Sequence, residues 1–154
     1  MRNVLVKMFA SGLFTGYLRP FPGTWGSIPA WLLAWFILKG DPLFTAGTAI
    51  LVTVFAIAIS SLAEPLLGHD SRTIVIDEWA GMLIALIMVP HDLAIFAATF
   101  VAFRVFDIIK IWPARQLEKV PGGLGVTLDD VAAGIQTNLF VQLVILVSTW
   151  ISRH

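Results

Sequence analysis

Long uncharged apolar runs alternate with short polar breaks along this chain, and the breaks mark the expected helix ends. Residues 43–63 carry no charge and close at Glu64-Pro65, which matches the roughly 20 residues a bilayer-spanning helix needs. Residues 131–151 form a second such run. Residues 23–39 and 93–112 are long enough to span as well, and residues 79–90 form a shorter apolar helix that spans only if the acidic residues before it are drawn inward. Residues 20–29, rich in proline, glycine and hydroxyl residues, read as a loop opening a helix, with Ser27 as cap and Pro29 in the first turn. Residues 1–20 place Arg2, Lys7 and Arg19 around an apolar patch interrupted by Gly12, which predicts an amphipathic segment on the membrane surface. Residues 113–130, the most hydrophilic stretch, are expected to be a cytoplasmic loop. The pattern therefore predicts an all-α, polytopic integral membrane helical bundle, one domain, with an N-terminal amphipathic segment.

Composition agrees. Of 154 residues, 58% are hydrophobic and 13% charged, with mean hydropathy +0.87, against about 45–50% apolar and about 25% charged in soluble domains. A net charge of zero gives no electrostatic case for a nucleic-acid partner. The absence of cysteine excludes disulfides, thiolate metal sites and a cysteine nucleophile. With the N-terminus inside, Arg2, Lys7, Arg19, Arg72, Arg104, Lys110, Arg115 and Lys119 fall on one face and Lys39 and Arg153 on the other, so the first face is expected to be cytoplasmic.

The charges that remain are placed unusually. Arg104, Asp107 and Lys110 follow one another at steps of three, one stripe on the end of an apolar helix. Charges inside a membrane segment cost about 2.5–3.5 kcal/mol each on insertion scales and by default suggest function; the competing reading is a ladder of charges that anchors the helix end at the headgroups. Two acidic pairs, Asp77-Glu78 and Asp129-Asp130, are each expected to open an apolar helix. Each is followed by a glycine, Gly81 and Gly134, which would let the two helix starts approach closely. Asp70 belongs to the same face. Gathered carboxylates repel one another unless a cation or protons neutralise them, and oxygen-only ligation favours a hard ion such as Mg²⁺. Arg104 and Lys110 would offset charge on phosphoryl oxygens, which points to phosphate chemistry. Helix-start acids held only by the macrodipole are the plainer alternative.

The residues that carry this pattern also form an ordered set: Ser11-Gly12-Leu13; Pro22-Gly23-Thr24 followed by Gly26-Ser27; His69-Asp70; Ile74-Val75, Asp77-Glu78 and Gly81; Phe103-Arg104, Asp107 and Lys110; Gly122-Gly123 and Gly125; Asp129-Asp130 and Ala133-Gly134. Over residues 11–134 the set resembles the phosphatidylglycerophosphatase A family, departing from its pattern at Ile111 and Thr127. The resemblance implies a Mg²⁺-dependent lipid phosphatase of the bacterial inner membrane, converting phosphatidylglycerophosphate to phosphatidylglycerol with its active site on the cytoplasmic face. On that reading Asp77, Glu78, Asp129 and Asp130, with Asp70 a weaker candidate, would hold metal or act as base, and Asp107 is a further catalytic candidate. Arg104 and Lys110 would hold the phosphate, with Thr24, Ser27, Gly122 and Gly123 as supplementary donors. Attack by water and attack by a carboxylate nucleophile both remain open. The partners expected are a phospholipid substrate and the lipid bilayer; oligomeric state is not readable. Two rivals are another metal-dependent phospholipid headgroup enzyme, the CDP-alcohol phosphotransferase type, whose Asp-x-x-Asp-Gly motif is missing here, and a small membrane cation transporter, which two cations in the acidic stripe oppose.

Overall fold

In a computed structural model, which describes residues 2–68 and 71–153, every regular element is helical. The chain runs α1 (Arg2–Ala10), α2 (Pro22–Leu33, continued by a wider π turn over Ala34–Leu38), α3 (Pro42–Leu67), α4 (Ile76–Ala85), α5 (Leu93–Ile109), α6 (Ala114–Leu117) and α7 (Gly123–Ile151). Local chemistry sets most of these ends. Asp41 caps α3 by accepting from the Phe44 N–H at 2.9 Å, with Pro42 in the first turn, and Asp92 caps α5 through Ile95 N–H at 3.0 Å. α5 stops at Lys110, whose backbone turns left-handed at φ 48°, and Gly122 at φ 81° admits the turn into α7.

Several ends differ from the sequence expectation. α2 begins at Pro22, not beyond Ser27, because proline suits a first helical turn; Ser27 is therefore inside the helix and its hydroxyl donates back to Gly23 O at 2.8 Å. The stretch expected as a loop over 113–130 contains α6 and the first two turns of α7. No breaker follows Gly125, so the helix runs back past Asp129-Asp130 almost to the Pro121-Gly122 break. The expected helix over 79–90 is displaced and shorter: α4 has 10 residues, about 15 Å at 1.5 Å per residue.

That short helix is the hub of the fold. Ala80, Met82, Leu83 and Ala85 are fully buried, and α2, α3, α5 and α7 all pack against α4. Gly81 and Gly134 bring α4 and α7 into backbone contact, since a Cβ on Gly134 would strike the Gly81 carbonyl. The C-terminal carbonyls of α4 would otherwise lack partners inside an apolar bundle. Side chains from α7 fill the gap: Asn138 Nδ2 donates to Ala85 O at 3.1 Å and Ile87 O at 2.6 Å, and Gln142 Nε2 donates to Ile87 O at 3.3 Å and Met88 O at 3.1 Å. Gln136 likewise reaches Trp112 O at 2.9 Å. Gln136, Asn138 and Gln142 thus all face other segments, as amide side chains in an apolar run are expected to do.

Among the described residues two helices, Pro42–Leu67 and Gly123–Ile151, are long and apolar enough to cross a membrane. Their outward positions, among them Leu43, Ile50, Leu51, Val54, Leu139, Leu143 and Leu146, are exposed. α1 docks on α3 with Val6 and Ala10 buried and the Phe9 ring edge-on to Phe55, while Val4 and Leu5 point outward.

Candidate active site

The N-terminal ends of α2, α4 and α7 and the C-terminal ends of α3 and α5 meet at one end of the bundle, tied together by Gly123 against Ser61, Gly23 against Glu78 and Arg104, and Lys110 against Asp129. Between them lies a polar cavity of about 450 Å³. Asp77, Glu78, Arg104, Asp107, Lys110, Asp129, Asp130 and Thr24 all contribute to its wall. Stretches as far apart in sequence as Thr24 and Asp130 are thereby brought into one site.

Each charged group has a definite place. Asp77 and Glu78 stand in the first turn of α4, and Asp77 is buried, its Oδ1 accepting from the Glu78 N–H at 3.1 Å. Asp129 and Asp130 lie on the second turn of α7, both buried, with Asp129 Oδ1 accepting from the Asp130 N–H at 2.9 Å. Lys110 Nζ bridges Asp129 Oδ2 and Glu118 Oε1, each at 2.8 Å. Arg104 Nη1 is 2.6 Å from Asp107 Oδ2, one turn along α5, and 3.9 Å from Glu78 Oε1; it also donates to Ser27 Oγ at 3.4 Å. Ser27 therefore stands behind the cavity as a support for Arg104.

Asp77, Glu78 and Asp130 can each present one oxygen so that the three lie within 4.8 Å of one another. Three acids packed so closely in a largely buried site repel unless a cation or shared protons offset their charge. Glu78 Oε2 is buried with no hydrogen-bond partner among the described residues, so a lone pair there is available to a ligand. An all-oxygen donor set of this kind fits a divalent cation of the hard class.

Not every expected residue comes to the cavity. Gly122 and Gly123 stand off it, at the junction of α7 and α3, where a Cβ on Gly123 would meet the Ser61 and Ile57 backbone. Asp70 lies outside the described residues. Conversely, sequence reasoning did not assign Glu118 a place beside Lys110, since no helical periodicity spans the turns between them. Nor did it read Gly23 as the space in which Glu78 and Arg104 meet: a Cβ there would collide with Glu78 Oε1 and Arg104 Nη2.

The family model described as phosphatidylglycerophosphatase A matches residues 8–145. A relative from Haemophilus influenzae named phosphatidylglycerophosphatase A is 33% identical over 140 residues, 88% of this chain and 86% of its own. One of the same name from Escherichia coli is 33% identical over 132 residues, 83% of this chain and 76% of its own. A third, from Bacteroides thetaiotaomicron and provisionally named a phosphatidylinositol-3-phosphatase, is 32% identical over 149 residues, covering 92% of this chain and 94% of its own. No solved structure matches. With the matched segment taking in every charged residue of the cavity, the chain belongs to the phosphatidylglycerophosphatase A family of phosphatases.

Proposed function

We propose that this protein removes the terminal phosphate of phosphatidylglycerophosphate, giving phosphatidylglycerol and inorganic phosphate, with Mg²⁺ held by Asp77, Glu78 and Asp130. The observation that carries the reading is the placement of those three carboxylates in one cavity with Arg104 and Lys110. The cation, when bound, supplies Lewis-acid polarisation of a phosphoryl oxygen. Arg104 and Lys110 exchange their carboxylate partners for phosphoryl oxygens as substrate enters, and so offset charge that develops there. Asp107 and Asp129, released by that exchange, are placed to take the proton from attacking water. Water oxygen bonds to phosphorus, the bond from phosphorus to the glycerol oxygen breaks, and a proton returns to the leaving alkoxide. Thr24, at the cavity wall, adds a donor to the phosphate.

The reading includes a bilayer, with α3 and α7 spanning it and α2 and α5 completing a multi-pass bundle. Basic residues concentrated at the cavity end favour that end as cytoplasmic, in the inner membrane of a bacterium. Phosphate release from phosphatidylglycerophosphate by purified protein in detergent tests the proposal. Release requires Mg²⁺, stops with EDTA, and drops at least a hundredfold in Asp77→Asn and Asp130→Asn, on the scale of about 2.7–4 kcal/mol for removing one electrostatic element of a site. No release from any lipid phosphate by folded protein with Mg²⁺ present sinks the reading.

A further inference from the structure

A second, smaller polar cavity of about 110 Å³ adjoins the first, and Pro20, Pro22 and Arg72 belong to both walls. Its other cation is Arg19. Neither arginine has an ion pair among the described residues, whereas Arg104 and Lys110 inside the main cavity each have carboxylate partners. The turn carrying Arg72 is built in place: Ile74 N–H donates to Ser71 O and Val75 N–H to Ala10 O, both at 2.8 Å, and Ser71 Oγ accepts from Thr73 N–H at 3.4 Å. Gly16 lies against the Thr73 carbonyl so closely that a Cβ would collide with it, which fixes the segment bearing Arg19 beside the segment bearing Arg72.

Two cations without an ion pair among the described residues, where the smaller cavity adjoins a site read above as taking a phosphomonoester, suit a second anion on the same ligand. We propose that Arg19 and Arg72 form a subsite for the phosphodiester of the substrate headgroup, and so select lipids that carry a second phosphate over phosphatidic acid, which has one. This rests on the phosphatase reading above. A guanidinium donates two parallel hydrogen bonds to a phosphate, and holding the inner phosphate would set the three-carbon glycerol bridge so that the terminal phosphate reaches Arg104 and Lys110. The pair acts on binding and positioning, since neither arginine touches the bond that breaks.

The test compares phosphatidylglycerophosphate with phosphatidic acid in neutral detergent micelles, for wild type, Arg19→Ala, Arg72→Ala, Arg72→Lys and the exposed control Arg115→Ala. Arg72→Ala raises KM for phosphatidylglycerophosphate about tenfold with kcat nearly unchanged, the pattern of lost ground-state binding. Turnover of phosphatidic acid stays constant, so the preference between the two falls by the same factor. Arg19→Ala acts in the same direction, Arg72→Lys recovers part of the loss, and Arg115→Ala changes nothing. An equal fall on both lipids would assign the arginines to general attraction of anionic surfaces and overturn the subsite, as would no change on either. Calorimetric binding of short-chain phosphatidylglycerol, which carries only the phosphodiester, gives a reading independent of turnover. Binding weakened in Arg72→Ala but not in Arg115→Ala supports the subsite even if wild type hydrolyses neither lipid, an outcome that would refute the phosphatase reading alone. Equal binding by wild type and Arg72→Ala overturns the subsite whatever the activity.

Discussion

A methyl group on Gly23 would collide with the ends of the Glu78 and Arg104 side chains, which meet in the space the glycine leaves open. Gly23→Ala is therefore expected to push this pair apart while leaving the helical core untouched. Activity falls at least tenfold and the unfolding midpoint moves by only a few degrees, on the scale of about 4–8 °C per kcal/mol for a small domain; steady-state kinetics beside thermal unfolding separate the two. Legibility at this scale divides by chemistry. Asp77, Glu78, Asp107, Asp129 and Asp130 stand out in the sequence because an acid in an apolar segment is costly and needs a reason. Gly23 does not stand out: the space it keeps open is defined by residues far along the chain. Ser27 was legible as a polar residue of the site, but the capping role expected of it belongs to a helix start that lies elsewhere.

At the scale of elements, α4 is a short helix that ends inside the bundle, and its end is completed by side chains of another helix. Asn138→Leu leaves the Ala85 carbonyl and one bond to Ile87 without a donor. Each buried acceptor left unsatisfied costs about 1–3 kcal/mol, so the variant unfolds at markedly lower temperature while KM of the fraction that remains folded is unchanged. Thermal unfolding with parallel kinetics measures both. The apolar runs made α3 and α5 legible to within a few residues, since Asp41 and Asp92 cap their starts and Lys110 ends α5; α3 runs on through Pro65, where the sequence predicts its close, and stops at Gly68. The start of α7 was not legible in the same way. Charge reads as a boundary in a membrane sequence, yet Asp129-Asp130 lie inside the helix, where Lys110 of the α5 end pairs with Asp129 and no breaker after Gly125 ends the run.

For the whole molecule, the bundle gathers the charged groups of the cavity at one end and leaves apolar side chains exposed around α3 and α7. A ligand that binds only the folded state stabilises it in proportion to the logarithm of its concentration above Kd. On the proposed function millimolar Mg²⁺ is expected to raise the unfolding midpoint of the wild-type protein in detergent, and Asp77→Asn or Asp130→Asn to abolish the rise; a midpoint indifferent to Mg²⁺ in wild type would remove these carboxylates from metal binding. The contact between Gly81 and Gly134 has one more consequence, which concerns time. Synthesis proceeds from the N-terminus, and segments fold as they emerge. α4 can bury its apolar face against α2 and α3 early, but Asp129 and Asp130 arrive at the site only with the last helix. On the proposed function the nascent protein is therefore silent until α7 docks, and a premature stop before residue 123 is expected to leave a fragment that lacks Asp129 and Asp130 of the site.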